Sequence, residues 1–301
     1  MFSEIKDYGA VFETLVTKTA DYLIQNNIKA QILGISGGID STVVAAICRE
    51  VSDRTGIPLI GRSLPTKFNK EGENETARLV GTSFCNEYAE RSIETIYNEY
   101  LKFLVGLEPL NQTPVANGNI QARLRMMYLY NLASIHKGIV MDTDNLTENN
   151  LGYFTIHGDV GDFNPIGGLW KTEVFKLAEW LILEYGDQIS IKSKSNAIWK
   201  SLNLKPTAGL GITDSDLDEI GADSYNQVDN ILQEILAWKW LSLEKRGDTY
   251  DSIWDMRNTF LEEQQMLDTP IKVIIAVTDR HFKSEFKRKQ LPIKITREEI
   301  V

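Results

Sequence analysis

Gln31–Ser41 reads QILGISGGIDS, a short apolar run that ends on glycine and passes at once into a polar turn. Beyond it, Val44, Ile47, Cys48 and Val51 recur at i, i+3, i+4 and i+7, the stripe of a helix packed on a sheet. Strand, glycine turn and helix in that order predict an anion site. The glycines of Gly34-Ile35-Ser36-Gly37-Gly38-Ile39-Asp40-Ser41 let backbone approach a phosphate, and the free N–H groups at the helix start face it. Ser36 and Ser41 add hydroxyl donors, and Asp40 sets a carboxylate beside the phosphates, where it can hold Mg²⁺. The loop has no lysine for the GxxxxGK[ST] pattern, and Ser36 and Asp40 break the dinucleotide GxGxxG.

Outward from this loop the periods alternate. Val11, Leu15, Val16 and Thr19 share a helix face before it, and Ile57–Leu64 reads as a second strand after it. Ile120–Ile135 predicts a helix, Gly138–Met141 a strand, and Lys171–Leu183 a further helix. Such alternation predicts an α/β fold, a doubly wound parallel sheet flanked by helices, with ligands beyond the carboxyl ends of its strands. Val228, Ile231, Leu232 and Ile235 predict a helix, whereas Val273–Val277 fits strand or helix. The polar stretch 186–205 is expected to be a mobile loop. One domain over 1–301 is expected, with a basic tail at 280–297.

The 301 residues carry 32 Lys and Arg against 42 Asp and Glu, a net of −10 that opposes non-specific attraction to nucleic acid or anionic membrane. No apolar run reaches the ~18 residues of a membrane span, and the start MFSEIKDYGA lacks signal-peptide character. Cys48 and Cys85 are the only cysteines, too few for a disulfide framework or zinc ribbon, so a cytoplasmic location is expected.

The segment 142–175, DTDNLTENNLGYFTIHGDVGDFNPIGGLWKTEVF, carries the remaining chemistry. A carboxylate such as Glu148, across from Asp40, could complete a magnesium site, and Lys171 at a helix start could neutralise charge developing on a phosphate. Read alone, Thr143, Asp144 and Lys171 are equally ordinary turn and surface residues.

Together these motifs resemble known families. The SGGxDS loop resembles the pyrophosphate loop of the ATP pyrophosphatases, which cleave ATP to AMP and pyrophosphate. The order Thr, Glu, GYFT, GD, Asp, NPI and KT within 142–175 resembles the signature of the NAD synthetase family. NGNIQARLRMM (Asn117–Met127), KPTA (Lys205–Ala208) and SEFKRKQLP (Ser284–Pro292) continue the resemblance, which spans roughly Gln31 to Pro292. It implies an adenine nucleotide alpha-hydrolase-like fold, a homodimer, and a C–N ligase in two half-reactions. ATP adenylates the carboxylate of deamido-NAD, and ammonia then displaces AMP to give NAD. Carried over by position, Gly34–Ser41, Arg62, Thr143, Lys171 and Thr207 are implied to bind ATP, with Asp40 and Glu148 on Mg²⁺. Arg123, Asp162, Lys287 and Arg288 are implied to hold deamido-NAD, and Asp159 to accept a proton from ammonium.

Ile156-His157 stands where the family carries Lys-Tyr, and the stretch GDVGD is one residue short. About thirty residues precede the loop strand, so no glutaminase domain is expected there and free ammonia is the expected nitrogen source. Two rivals remain at this stage. One is an SGGxDS ATP pyrophosphatase acting on another carboxylate or a tRNA base; the other is a nucleotide-binding homologue that has lost catalysis.

Overall fold

Gln31–Gly34 (β1) and Leu59–Ser63 (β2) are buried along almost their whole length. Strands covered on both faces belong to parallel sheets. The computed structural model describes residues 4–105, 113–186, 192–204, 215–266, 268–288 and 293–300. The other strands are Glu87–Glu90 (β3), Ile139–Met141 (β4), Phe163–Asn164 (β5) and Ile293–Lys294 (β6). All pair in parallel, in the order β3-β2-β1-β4-β5-β6. Ile32 lies beside Ile60 on one side and Val140 on the other. The winding therefore reverses between β1 and β4, which opens a crevice at their carboxyl ends.

On one face lie α1 (Tyr8–Gln25), α2 (Ile39–Thr55), α3 (Glu71–Phe84), α7 (Lys171–Tyr185) and α8 (Lys192–Leu202). Leu15, Val43, Ile47, Val80, Leu177 and Ile198 fill the core beneath them. On the other face is α5 (Pro114–His136), which follows α4 (Glu94–Leu104) and packs Met126, Leu129 and Ala133 against Ile32, Ile60 and Val140. Each such fully buried aliphatic side chain contributes about 1.5–3 kcal/mol.

A second, all-helical core sits beside the sheet. It is built from α6 (Leu146–Leu151), α9 (Asp216–Ile220), α10 (Tyr225–Trp240) with a following π-helical turn at Leu241–Arg246, α11 (Ile253–Glu263) and α12 (Ile271–Lys283). Two short helices, α13 (Glu285–Arg288) and α14 (Arg297–Ile300), flank β6. Val228, Ile231, Leu232 and Ile235 of α10 are all buried, as their spacing predicts. The ambiguous stretch Val273–Val277 is helical: Val273, Ile274 and Val277 are buried while Ile275 faces out, a helical rather than alternating pattern.

One expectation needs correction. Within 186–205, Lys192–Leu202 forms α8, with Ala197, Ile198 and Ser201 buried against its neighbours. Its apolar face is too short to stand out in a polar sequence. Residues 187–191 and 205 lie outside the described residues. No helix among the described residues is long and apolar enough to cross a membrane.

Candidate active site

The loop between β1 and α2 is braced from within. Gly38 N–H donates to Ser36 Oγ (3.2 Å), the Ser36 and Ser41 hydroxyls meet at 3.0 Å, and Ser41 Oγ donates to Gly38 O (3.0 Å). It is also braced from α8: Ser201 Oγ donates to Gly37 O (2.8 Å) and accepts from Thr42 Oγ1 (2.9 Å). Gly37 has φ +86°, and a Cβ there would meet Glu73 O at 2.5 Å and Ala77 N at 2.9 Å, both backbone atoms of α3. Left-handed geometry alone costs an L-residue about 1–2 kcal/mol. Gly37→Ala is therefore expected to lower the melting temperature by several degrees. A thermal melt indistinguishable from wild type would contradict this.

Lys171 opens α7 and is 2% exposed, with its ammonium between two carboxylates. Nζ donates to Asp40 Oδ2 from one side and to Glu148 Oε1 at 3.0 Å from the other. Asn145 completes the set. It caps α6, exchanges bonds with Glu148 (Glu148 N–H to Asn145 Oδ1, 3.0 Å; Asn145 N–H to Glu148 Oε2, 3.2 Å), and donates Nδ2–H to Asp40 Oδ1 (2.9 Å). Sequence reasoning passed over Asn145, although the spacing Asn145-x-x-Glu148 is a capping-box signal. Burial acts against the Lys171 charge, but the two carboxylates outweigh it and hold its pKa well above the ordinary range. Glu148 is raised by burial and by Asp40, with Lys171 opposing. Among the described residues no three His, Cys, Asp or Glu side chains converge into a metal cage. Two carboxylates facing a cavity suit a hard cation that keeps water and substrate oxygens as its other ligands, as Mg²⁺ does.

Asp40, Glu148 and Lys171 line a cavity of about 430 Å³ beyond β1 and β4. Arg62, Thr143, Asp144, Asp159 and Lys287 line it as well, together with Tyr153, Asp216, Glu219 and Arg280, which sequence reasoning missed. The Arg62 guanidinium is buried, donates to Gly61 O (2.8 Å) and pairs with Glu87. Asp159 Oδ1 accepts from Thr155 N–H (2.7 Å); Lys287 Nζ donates to Gly152 O (2.8 Å) and Phe154 O (2.6 Å).

A second cavity of about 580 Å³ adjoins the first and shares Met126 and Phe154 with it. Arg123, Asp162, Ile156 and His157 line it, His157 with a left-handed φ of +57°. Asp162 is engaged within the protein, accepting from Tyr130 Oη (3.0 Å) and Val140 N–H (2.9 Å). Arg288 lines neither cavity; it donates to Asn150 O, Ser284 Oγ and His281 O. Thr207 lies outside the described residues.

Burial holds up Asp159, which lines the first cavity, to about 6, and two acids that line neither cavity, Asp142 to about 7 and Asp229 to about 6. Each binds its proton more tightly folded than unfolded, so folding takes up protons between about pH 4 and 7, and stability falls as pH rises through that window. The buried His281, kept neutral chiefly by burial, opposes this as a single group. The ligand-free protein is expected to melt a few degrees higher at pH 6 than at pH 8. A melting temperature that climbs steadily from pH 6 to 8 would refute it.

The profile of the NAD synthase family matches residues 11–291. The NH(3)-dependent NAD(+) synthetase of Thermococcus sibiricus is 32% identical over 288 residues, 95% of this chain and 97% of that one. The enzyme of the same name from Campylobacter jejuni is 32% identical over 214 residues, 69% and 82% of the two chains. Among solved structures, NMN synthetase from Francisella tularensis superposes with a TM-score of 0.71 at 26% identity, covering 96% of this chain and 99% of that one.

Proposed function

The chain belongs to the NAD synthase family, and from that premise we propose that it amidates deamido-NAD to NAD, consuming ATP and ammonia and releasing AMP and pyrophosphate. The observation that carries the reading is Lys171, a buried cation set between Asp40 and Glu148 beside the Gly34–Ser41 loop. That arrangement suits a departing pyrophosphate.

A carboxylate is a poor electrophile because its leaving group would be oxide. In the first half-reaction a carboxylate oxygen of the substrate attacks the α-phosphorus of ATP. The bond from that phosphorus to the bridging oxygen breaks, and its electron pair leaves with pyrophosphate. Backbone N–H groups of the loop and the hydroxyls of Ser36 and Ser41 hold the phosphates, and Lys171 offsets the charge that builds on the leaving group. Asp40 and Glu148 are the proposed Mg²⁺ ligands, and Mg²⁺ when bound neutralises phosphate charge. In the second half-reaction ammonia attacks the acyl carbon, the attacking nitrogen gives up one proton to solvent, and AMP leaves as the C–O bond breaks. Asp159 takes the proton that ammonium gives up. Arg123 in the second cavity is suited to the phosphates of the acid substrate, with Lys287 closing the near side.

Incubation with Mg-ATP, deamido-NAD and ammonium is expected to give NAD, AMP and pyrophosphate in equal amounts. ADP as the nucleotide product would overturn the reading. A second reading, the mononucleotide acid as substrate, is favoured by the likeness to NMN synthetase and by Ile156 in place of lysine. The same assay with both acids decides between them. A homodimer and a cytoplasmic setting belong to this proposal too; Cys48 and Cys85 are both free thiols, and sedimentation tests the dimer.

A further inference from the structure

Asp229 belongs to α10, in the helical core, and neither the motifs nor the reaction above accounts for it. It is 2% exposed. Its Oδ1 accepts from Thr147 Oγ1 (2.5 Å), and its Oδ2 accepts from Thr172 N–H (3.1 Å) and Thr172 Oγ1 (2.7 Å). Thr147 directly precedes Glu148, and Thr172 directly follows Lys171. The ring closes a third way, because Lys171 N–H donates to Thr147 Oγ1 (2.8 Å). One carboxylate thus ties the second residue of α6 to the second residue of α7. Those are the two elements that deliver Glu148 and Lys171.

A buried carboxylate is costly to keep, and one needed only for packing is readily replaced by an apolar side chain. The hydrogen bonds Asp229 receives among the described residues come from Thr147 and Thr172. Its burial therefore serves the relative placement of those two helix starts. Catalytic groups need placing within about 0.5 Å, and a displacement near 1 Å costs about a hundredfold.

We propose that Asp229 is a positioning residue for the adenylation half-reaction, fixing the Lys171 ammonium against the Glu148 carboxylate. The inference rests on the function proposed above. Its reach is specific: Asp229 sets the step in which pyrophosphate departs and leaves the ammonia step alone.

The test measures ATP–pyrophosphate exchange, which reports adenylation, beside the partition of the formed adenylate between ammonia and water. Folding is followed by circular dichroism and ATP binding by calorimetry. Asp229→Asn keeps the shape but presents an NH₂ to Thr172 N–H or to Thr147. Exchange at saturating substrates is expected to fall 10- to 100-fold, with the acid-substrate KM within about twofold of wild type and the partition unchanged. Thr172→Val is expected to lose exchange in the same direction though less, and Thr172→Ser to recover most of that loss. This pair decides the matter if Asp229→Asn does not fold. Exchange within twofold of wild type in folded Asp229→Asn would overturn the proposal, as would an equal loss in the ammonia step. So would a Thr172→Ser protein no better than Thr172→Val. Absence of exchange in the wild-type protein would instead refute the function itself.

Discussion

Asp40→Asn is expected to fold like the wild type yet lose ATP–pyrophosphate exchange by roughly 10²–10³-fold, the scale of removing one preorganised electrostatic group at a reacting phosphate. Asp40 is placed by two donors, Lys171 Nζ and Asn145 Nδ2, and its side chain is 16% exposed at the cavity wall. Its replacement therefore disturbs little packing. The lost charge changes two things at once. Among the described residues Lys171 then keeps Glu148 as its ion-pair partner, so its ammonium is expected to settle toward α6 and away from the loop. The pair of carboxylates proposed for Mg²⁺ becomes one, and the magnesium concentration for half-maximal ATP binding should rise by an order of magnitude or more. Near-wild-type exchange in this variant would remove Asp40 from the site.

The second large effect concerns Asp159 and separates the two half-reactions. At neutral pH most of the nitrogen donor is ammonium, whose lone pair is bound to a proton and cannot attack. Hydroxylamine is largely neutral there and needs no such step. Asp159 is raised chiefly by burial, with the Thr155 N–H bond and Lys287 opposing, to about 6. It is therefore ionised at pH 7.5 and able to accept. Asp159→Asn should lower ammonium-dependent amidation by roughly 10²–10⁴-fold, the usual range for a lost general base. Hydroxamate formation and pyrophosphate exchange should stay within a few-fold of wild type. The pH profile gives a second reading. In the wild type, amidation should fall as pH drops through about 6, because the carboxyl is then protonated. In the variant the break near 6 disappears, and the residual rate instead follows free ammonia, falling about tenfold for each unit the pH drops. If both nucleophiles slow equally, Asp159 is holding structure or substrate instead.

Much of this architecture was legible before any coordinates. QILGI followed by SGGIDS requires a strand, a turn and a helix whatever surrounds them, and β1 and α2 fall there. The long helix α5 and the buried stripe of α10 declared themselves by spacing. Two kinds of information were out of reach. Helix α8 buries Ala197, Ile198 and Ser201 beneath a polar surface, so composition read it as a loop, and only tertiary packing makes it a brace for Gly37. The far wall of the cavity, Tyr153, Asp216, Glu219 and Arg280, joins residues up to 127 positions apart in sequence. Tyr153 donates to Asp216 Oδ1 (2.9 Å) and Glu219 Oε2 (2.8 Å), and Arg280 pairs with Glu219 (2.5 Å). No local pattern encodes that meeting. Asn145 is the intermediate case, since its capping role was readable and its reach to Asp40 was not.

Met126 and Phe154 belong to the linings of both cavities. On the proposed function, ATP lies at the glycine turn in one cavity and the acid beside Arg123 in the other, so neither reactant occupies the other's place. Steady-state kinetics should then show lines that intersect when ATP and the acid are varied together, with no obligatory order of arrival. An excess of one should not compete with the other.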